Sequence, residues 1–184
     1  MKNKAIFLDR DGAINEDIGY NFSIDNCKIL PGVIEGLKQL KGEYKFFIIT
    51  NQVGIGLGLT TLSAFKEFNT HILKTLERDG IAVEKTYYCP HIPEDNCSCR
   101  KPKTKFIKEA KEDFKIDLKQ SWMIGDHPSD ILLGINAGCK TTYVLTGHGE
   151  KHLQELKNRG IVPTIIARYF LEATYKIIEG KKKK

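Results

Sequence analysis

Short apolar runs alternate with amphipathic stretches of helical period along almost the whole of this chain, and few folds accommodate that alternation. The runs at 5–8, 46–49, 86–88, 122–124, 142–145 and 164–167 read as strands. Between them, apolar residues recur three and four apart. Leu62, Phe65, Phe68, Ile72, Leu73 and Leu76 share one face of a helix expected over 61–79. Phe106, Ile107, Ala110 and Phe114 repeat the pattern, and Ile131, Leu132 and Ile135 give a shorter version. Strands that alternate with helices in this way build a parallel sheet with helices packed on it. The expected fold is therefore α/β, a doubly wound parallel sheet, and the apolar stripes are its core rather than a cofactor box.

The 184 residues are one domain's worth, expected over 1–180. The net charge is +6, but the four lysines at 181–184 supply most of it. A nearly neutral body with a basic tail argues against nucleic acid as a partner, and the tail reads as a solvated end. No apolar run approaches the roughly 20 residues that cross a bilayer. Residues 1–4 lead straight into the first strand and leave no room for a signal peptide. A cytoplasmic protein with no membrane partner is expected, acting as a monomer. The cysteines agree: of the 5, three lie within 89–99, which suits metal better than a disulfide framework.

Three of the apolar runs end in polar residues of chemical interest. Leu8 is followed by Asp9-Arg10-Asp11-Gly12, Ile49 by Thr50-Asn51-Gln52, and Ile124-Gly125 by Asp126. Ligands of open parallel sheets sit beyond the carboxyl ends of the strands, so residues distant in sequence converge there. An extended backbone sends alternate side chains to one face, which lets Asp9 and Asp11 share a site. Alone, the pair also fits an exposed acidic turn. With Asp126 and Asp130 it supplies the carboxylates of an octahedral Mg²⁺ shell. Thr50 offers a hydroxyl, Asn51 a backbone N–H, and Arg100-Lys101-Pro102 two cations. A carboxylate cannot approach a phosphate dianion until both charges are neutralised, and a divalent cation with a lysine does that.

Cys89-Pro90-His91 and Cys97-Ser98-Cys99 make a Cys₃His set whose spacing fits a closed, structural Zn²⁺ site. The other readings are core cysteines, or a Cys97–Cys99 disulfide closing a strained small ring. Such a metal would brace a long irregular loop and aim Arg100 and Lys101, which follow Cys99 directly. Cys27 and Cys139 fall outside the cluster and read as small hydrophobes.

The order Asp-x-Asp-Gly, Thr-Asn-Gln, Arg-Lys-Pro, Gly-Asp-x-x-x-Asp is similar to that of the phosphatases of the haloacid dehalogenase superfamily, over residues 9 to about 149. The resemblance implies a Rossmann-like sheet and a Mg²⁺-dependent phosphoric monoester hydrolase. It makes Asp9 the nucleophile that forms an aspartyl-phosphate and Asp11 the acid and then the base. Thr50 and Lys101 would hold the phosphoryl group. Asp9, the main-chain carbonyl of Asp11 and Asp126 would hold Mg²⁺, with Asp130 behind them. The stretches from Asp11 to Thr50 and from Thr50 to Lys101 leave no room for a cap domain, so the site is expected to be open.

Two zinc-loop branches of that superfamily share Cys-Pro-His…Cys-x-Cys-Arg-Lys-Pro: the D-glycero-D-manno-heptose 1,7-bisphosphate phosphatases and the histidinol-phosphate phosphatases. Asn15-Glu16-Asp17-Ile18-Gly19-Tyr20 resembles an Asn-x-Asp-x-Gly-Tyr segment of the heptose branch, whose loop touches the sugar. Asp17, Ile18, Gly19 and Tyr20 thus join Asn51, Gln52 and Arg100 as expected substrate contacts, and residues 50–56 also resemble that branch. Residues 100–105 and the short zinc loop look as much like the histidinol branch. The expected reaction removes one phosphate from a small sugar, the heptose bisphosphate, leaving the 1-phosphate; histidinol phosphate is the alternative. His127 stands where lysine or arginine is expected, and a neutral imidazole weakens the positive field there. His71 reads as a surface or paired residue of the long helix, His148 as a neighbour of the active edge, and His152 as exposed. A zinc-stabilised binding module with an inert site is the reading of a different class. No residue favours it, because every expected catalytic residue is present.

Overall fold

Each apolar run becomes a strand, and most strands outgrow the run that marked them, because ladder hydrogen bonds need only a backbone. In the computed structural model, which describes residues 2–182, the strands are β1 (Lys4–Leu8), β2 (Tyr44–Asn51), β3 (Val83–Cys89), β4 (Trp122–Gly125), β5 (Lys140–Val144) and β6 (Ile165–Ala167). They form one sheet in the order β3-β2-β1-β4-β5-β6, with every neighbouring pair parallel. Ile6 of β1 lies opposite Phe46 of β2 on one side and Trp122 of β4 on the other. The helices are α1 (Val33–Leu40), α2 (Val53–Gly56), α3 (Leu62–Arg78), α4 (Lys105–Phe114), α5 (Pro128–Ala137), α6 (Gly149–Asn158) and α7 (Phe170–Lys182).

The core divides by strand parity. Ile6 and Leu8 of β1 pack with Phe46 and Ile48 against α1, α3 and α7. Ala5 and Phe7 pack with Phe47 and Ile49 against α4 and α5. This two-faced burial is what a doubly wound sheet demands, and it explains why the strands read as continuous apolar runs. The long helix starts where its cap chemistry puts it: Thr61 accepts a hydrogen bond from the Ala64 backbone at 3.1 Å. Two members of the expected stripes leave the core. Leu62 is 39% exposed and Ile135 45% exposed, because each sits at the end of its helical face, where the sheet no longer covers it. His71 is half-buried, as a side chain on the flank of α3 would be.

No cap domain interrupts the sheet: one 3-10 turn and α1 join β1 to β2, and α2 with α3 join β2 to β3. Among the described residues no helix is long and apolar enough to cross a membrane. Of the basic tail, Lys181 and Lys182 continue α7, and Lys183 and Lys184 lie outside the described residues.

Candidate active site

The strand order reverses direction of growth between β1 and β4, and the crevice beyond their carboxyl ends is where such sheets bind ligands. The ladder persists one residue past β1, since the Asp9 N–H donates to the Ile124 carbonyl at 2.9 Å. Asp9 and Asp126 therefore leave adjacent strands side by side. Three glycines make space for the carboxylates. A Cβ on Gly12 or on Gly147 would collide with Asp126 Oδ2, and one on Gly125 with the Asp130 carboxylate. Gly12 and Gly147 also pack backbone to backbone, and the Thr146 hydroxyl donates to the Gly12 carbonyl at 2.6 Å. The loop after β5 is thus stitched to the loop after β1.

Asp9, Asp126 and Asp130 bring their carboxylate oxygens within 4.8 Å of one another. Lys101 lies among them, with Nζ 2.8 Å from Asp9 Oδ1 and 2.7 Å from Asp130 Oδ1. Asp9 Oδ1 also accepts the Arg10 N–H at 2.7 Å, whereas Oδ2 carries no protein hydrogen bond among the described residues. The second oxygen of Asp130 accepts the His127 N–H at 3.0 Å, so Asp130 is fully engaged at the start of α5. Burial, and then the Asp130 charge, push the Asp9 carboxyl well above the ordinary 3.8, against the pull of Lys101. The same two causes push Asp126 up to about 7. Burial pulls the Lys101 ammonium down, but Asp130 and Asp9 outweigh it and leave it above the ordinary lysine range. When all three are ionised, the buried carboxylates exceed the one ammonium by two negative charges, so the donor set and that charge fit a divalent cation bound by oxygen.

Asp11 stands across the cleft in a cage of donors. Arg10 clamps it with Nε at 3.1 and 3.2 Å and Nη2 at 2.9 Å. Asn15 Nδ2 donates to it at 3.0 Å and Gln52 Nε2 at 2.9 Å. Gln52 also donates to the Thr50 hydroxyl at 2.7 Å, tying Asp11 to the end of β2. Asn51 faces away from these and accepts the Lys101 N–H through Oδ1 at 3.0 Å. Its side chain thereby pins the backbone that presents the lysine.

The carboxylates floor an open cleft of about 650 Å³, lined further by Asp17, Gly19, Tyr20, Arg100, His127 and His148. Ile18 is a correction: it packs against the apolar core under the loop and does not line the cleft. Gly19 turns the chain at φ 65°, and Ile18 just before it packs inward. Tyr20 rests its ring on Gly54 at the start of α2, where a Cβ would strike it. Asp17 is partly engaged, accepting the Gly19 N–H at 2.9 Å and lying 3.7 Å from His148 Nδ1. His127 caps α5, its Nδ1 accepting the Ser129 N–H at 3.2 Å, and burial holds its imidazole below the ordinary 6.5. His152 is a second correction. It is partly buried, stacked edge-on against His127 with ring centres 4.6 Å apart, and paired with Glu155 at 2.9 Å.

Cys89, His91, Cys97 and Cys99 bring their ligand atoms within 4.8 Å of one another. The separations are 3.6 Å from Cys89 Sγ to both His91 Nδ1 and Cys97 Sγ, 3.3 Å from Cys99 Sγ to His91 Nδ1, and 3.6 Å from Cys99 to Cys97. Zinc bonded to sulfur at about 2.3 Å and nitrogen at about 2.0 Å needs tetrahedral edges of about 3.5–3.8 Å. The cluster fits such an ion, and the cysteines are free thiols rather than a disulfide. Burial raises the Cys89 thiol to about 12, whereas backbone donors outweigh burial at Cys97 and lower it to about 7. Lys103 caps the loop by donating to the Asn96 and Cys97 carbonyls.

Sequence reasoning missed Arg10, Asn15 and the Gly12–Gly147 contact. Arg10 carried a readable signal: it shares strand parity with Ile6 and Leu8, which face the α3 side of the core. The glycine contact carried none, because it joins two loops far apart in sequence.

The HAD-hydrolase-like family model matches residues 98–173. A D-glycero-beta-D-manno-heptose-1,7-bisphosphate 7-phosphatase of Helicobacter pylori is 43% identical over 145 residues, covering 78% of this chain and 84% of the relative. One of Pasteurella multocida is 36% identical over 189 residues, covering 97% and 98%. The crystal structure of the D,D-heptose 1,7-bisphosphate phosphatase from B. bronchiseptica, complexed with magnesium and phosphate, matches with a TM-score of 0.85 at 28% identity, covering 96% of this chain and 99% of that one. Matched over this length, at these identities and in this strand order, the chain belongs to the haloacid dehalogenase-like phosphatases, in the family of the D-glycero-D-manno-heptose 1,7-bisphosphate 7-phosphatases.

Proposed function

We propose that this phosphoric monoester hydrolase removes the 7-phosphate of D-glycero-D-manno-heptose 1,7-bisphosphate, leaving the 1-phosphate, through an aspartyl-phosphate on Asp9. The observation that carries the reading is Asp9 itself: one oxygen is tied to Lys101 and the Arg10 N–H, and the other is free toward the cleft. Asp9 attacks phosphorus while the bond to the leaving oxygen breaks with its electron pair, and Asp11 gives that oxygen a proton. Asp11 then takes a proton from water, which attacks the same phosphorus and releases Asp9 as a carboxylate with inorganic phosphate. Thr50 and Lys101 hold the phosphoryl oxygens, and Asn51 keeps Lys101 in place. Asp9, Asp126 and the Asp11 carbonyl, with Asp130 behind, would hold Mg²⁺, which would supply charge neutralisation for the approach of two anions.

In this reading Zn²⁺ on Cys89, His91, Cys97 and Cys99 is structural, because four protein donors leave no place for water. Asp17, Gly19 and Tyr20 meet the sugar, with Gln52 and Arg100 completing the substrate contacts. The enzyme is a cytoplasmic monomer, a single domain over 1–180 with 181–184 as a basic appendage, and its partner is the small phosphorylated sugar alone. The test is a panel of phosphate esters with kcat/KM measured for each in Mg²⁺. The heptose bisphosphate is expected to exceed histidinol phosphate, because a site that pairs with sugar hydroxyls strands its own polar groups when they are missing. The reverse order sinks this substrate assignment.

A further inference from the structure

Arg10 is 0% exposed, one of the largest fully buried side chains of the molecule. Its guanidinium carbon lies 4.9, 4.9 and 5.2 Å from the ring centres of Phe22, Phe65 and Phe68. Nη1 has no hydrogen-bond partner among the described residues. Nε and Nη2 both point at the Asp11 carboxylate. Burying a cation beneath a sheet is costly, and an apolar side chain of the same volume usually serves stability as well or better. The aromatic cage returns part of that cost through its ring faces. What the arrangement achieves is rigidity: a planar fork, immobilised by three rings, meets a planar carboxylate at two points. Asn15 and Gln52 then bracket the same carboxylate, and Gln52 links it to Thr50.

We propose that Arg10 is the positioning residue for Asp11: its caged guanidinium sets the plane and direction from which that carboxyl serves the leaving oxygen and the incoming water. The proposal rests on the reading of Asp11 as the acid and base of the hydrolysis. Orientation of this kind governs proton transfer more than binding, so it acts on a barrier that depends on the leaving group. A good leaving group departs without a proton, whereas a poor one needs it.

The test is a series of aryl phosphates from p-nitrophenyl to phenyl, read as kcat/KM in Mg²⁺, which reports only the steps through loss of the leaving group. Arg10→Met removes the fork and keeps the bulk. Arg10→Lys keeps a cation in the cage but can offer only one point of contact, and it decides the matter if the methionine variant does not fold. For either variant, phenyl phosphate is expected to lose at least about tenfold more kcat/KM than p-nitrophenyl phosphate, with KM for the latter within about threefold of wild type. Asp11→Asn serves as the reference and should show the same split, more deeply. Equal losses across the series in the Arg10 variants, with the split intact in Asp11→Asn, would mean that Arg10 is only a packing residue and would overturn the proposal. Absence of the split in Asp11→Asn would instead remove the acid role of Asp11, and the proposal with it.

Discussion

Assembling this site costs electrostatic free energy at the scale of single residues, and that cost predicts how the protein responds to pH and metal. Unfolded, Asp9 and Asp126 ionise near 3.8; folded, burial and Asp130 hold Asp126 at about 7 and Asp9 well above its usual range. Between those values the folded state binds more protons than the unfolded one, so metal-free protein loses stability as pH rises through about 7. His127 works in the other direction: burial depresses it, so its contribution is present above 6.5 and lost as pH falls. Between pH 6.5 and 8 His127 is left out, but the Cys97 thiol, lowered to about 7, adds stability as pH rises and opposes the carboxylates. The difference between protein with and without Mg²⁺ cancels that contribution, and the increase in melting temperature given by Mg²⁺ should be larger at the higher pH. An equal Mg²⁺ increment at both values would mean that these carboxylates are not the cation site. Asp9→Asn should abolish turnover by several orders of magnitude while removing one of the repelling charges, so the metal-free variant should melt no lower than wild type. Retention of more than a few per cent of activity would exclude Asp9 as the nucleophile.

The elements differ in how firmly they fix the residues they carry. Gly147 has φ +55° and its Cβ position is filled by the Gly12 backbone and Asp126, none of which can swing aside. Gly147→Ala should cost about 2 kcal/mol or more of stability, read by denaturant unfolding, and most of the activity. The atoms a Cβ on Gly54 would meet first all belong to the ring of Tyr20, which is 45% exposed and free to move. Gly54→Ala should leave melting nearly unaltered and raise KM for the sugar substrate, with little effect on p-nitrophenyl phosphate. The Cys₃His loop lies between these cases. Cys99→Ser should lower the melting temperature and raise KM, because Arg100 and Lys101 follow Cys99 directly; metal analysis should find about one zinc per wild-type chain. The strands, the long helix and the polar strand ends were legible in the sequence because period and turn chemistry are local properties. Leu62 and Ile135 were misassigned because period says which face a residue is on but not where the neighbouring layer stops, whereas Ile18 was taken as a substrate contact from the resemblance of its loop. Arg10 escaped notice for a related reason. A charge between two carboxylates invites a reading as surface, and only its parity with Ile6 and Leu8 reveals that it points into the core.

At the scale of the whole molecule, a sheet without a cap leaves substrate selection to the rims of one cleft. The convergence of Asp9, Asp11, Thr50 and Asp126 could be anticipated from a general property of parallel sheets, whose strand ends share an edge, and the Cys₃His cluster from its spacing. Which rim residues reach a substrate could not, since that depends on loops whose packing no periodicity encodes. Asp17→Ala is expected to reduce sugar-phosphate turnover far more than p-nitrophenyl phosphate turnover, by the same logic that makes stranded polar groups selective. At the joined backbones of Gly12 and Gly147 no side chain can be added without displacing Asp126, so that seam has no freedom to vary while the catalyst survives. The loop at 17–20 and the segment after Cys99 carry no such restriction. Within this architecture, new substrates are acquired by remodelling those loops rather than the glycine seam, and laboratory selection for altered specificity should return its changes there.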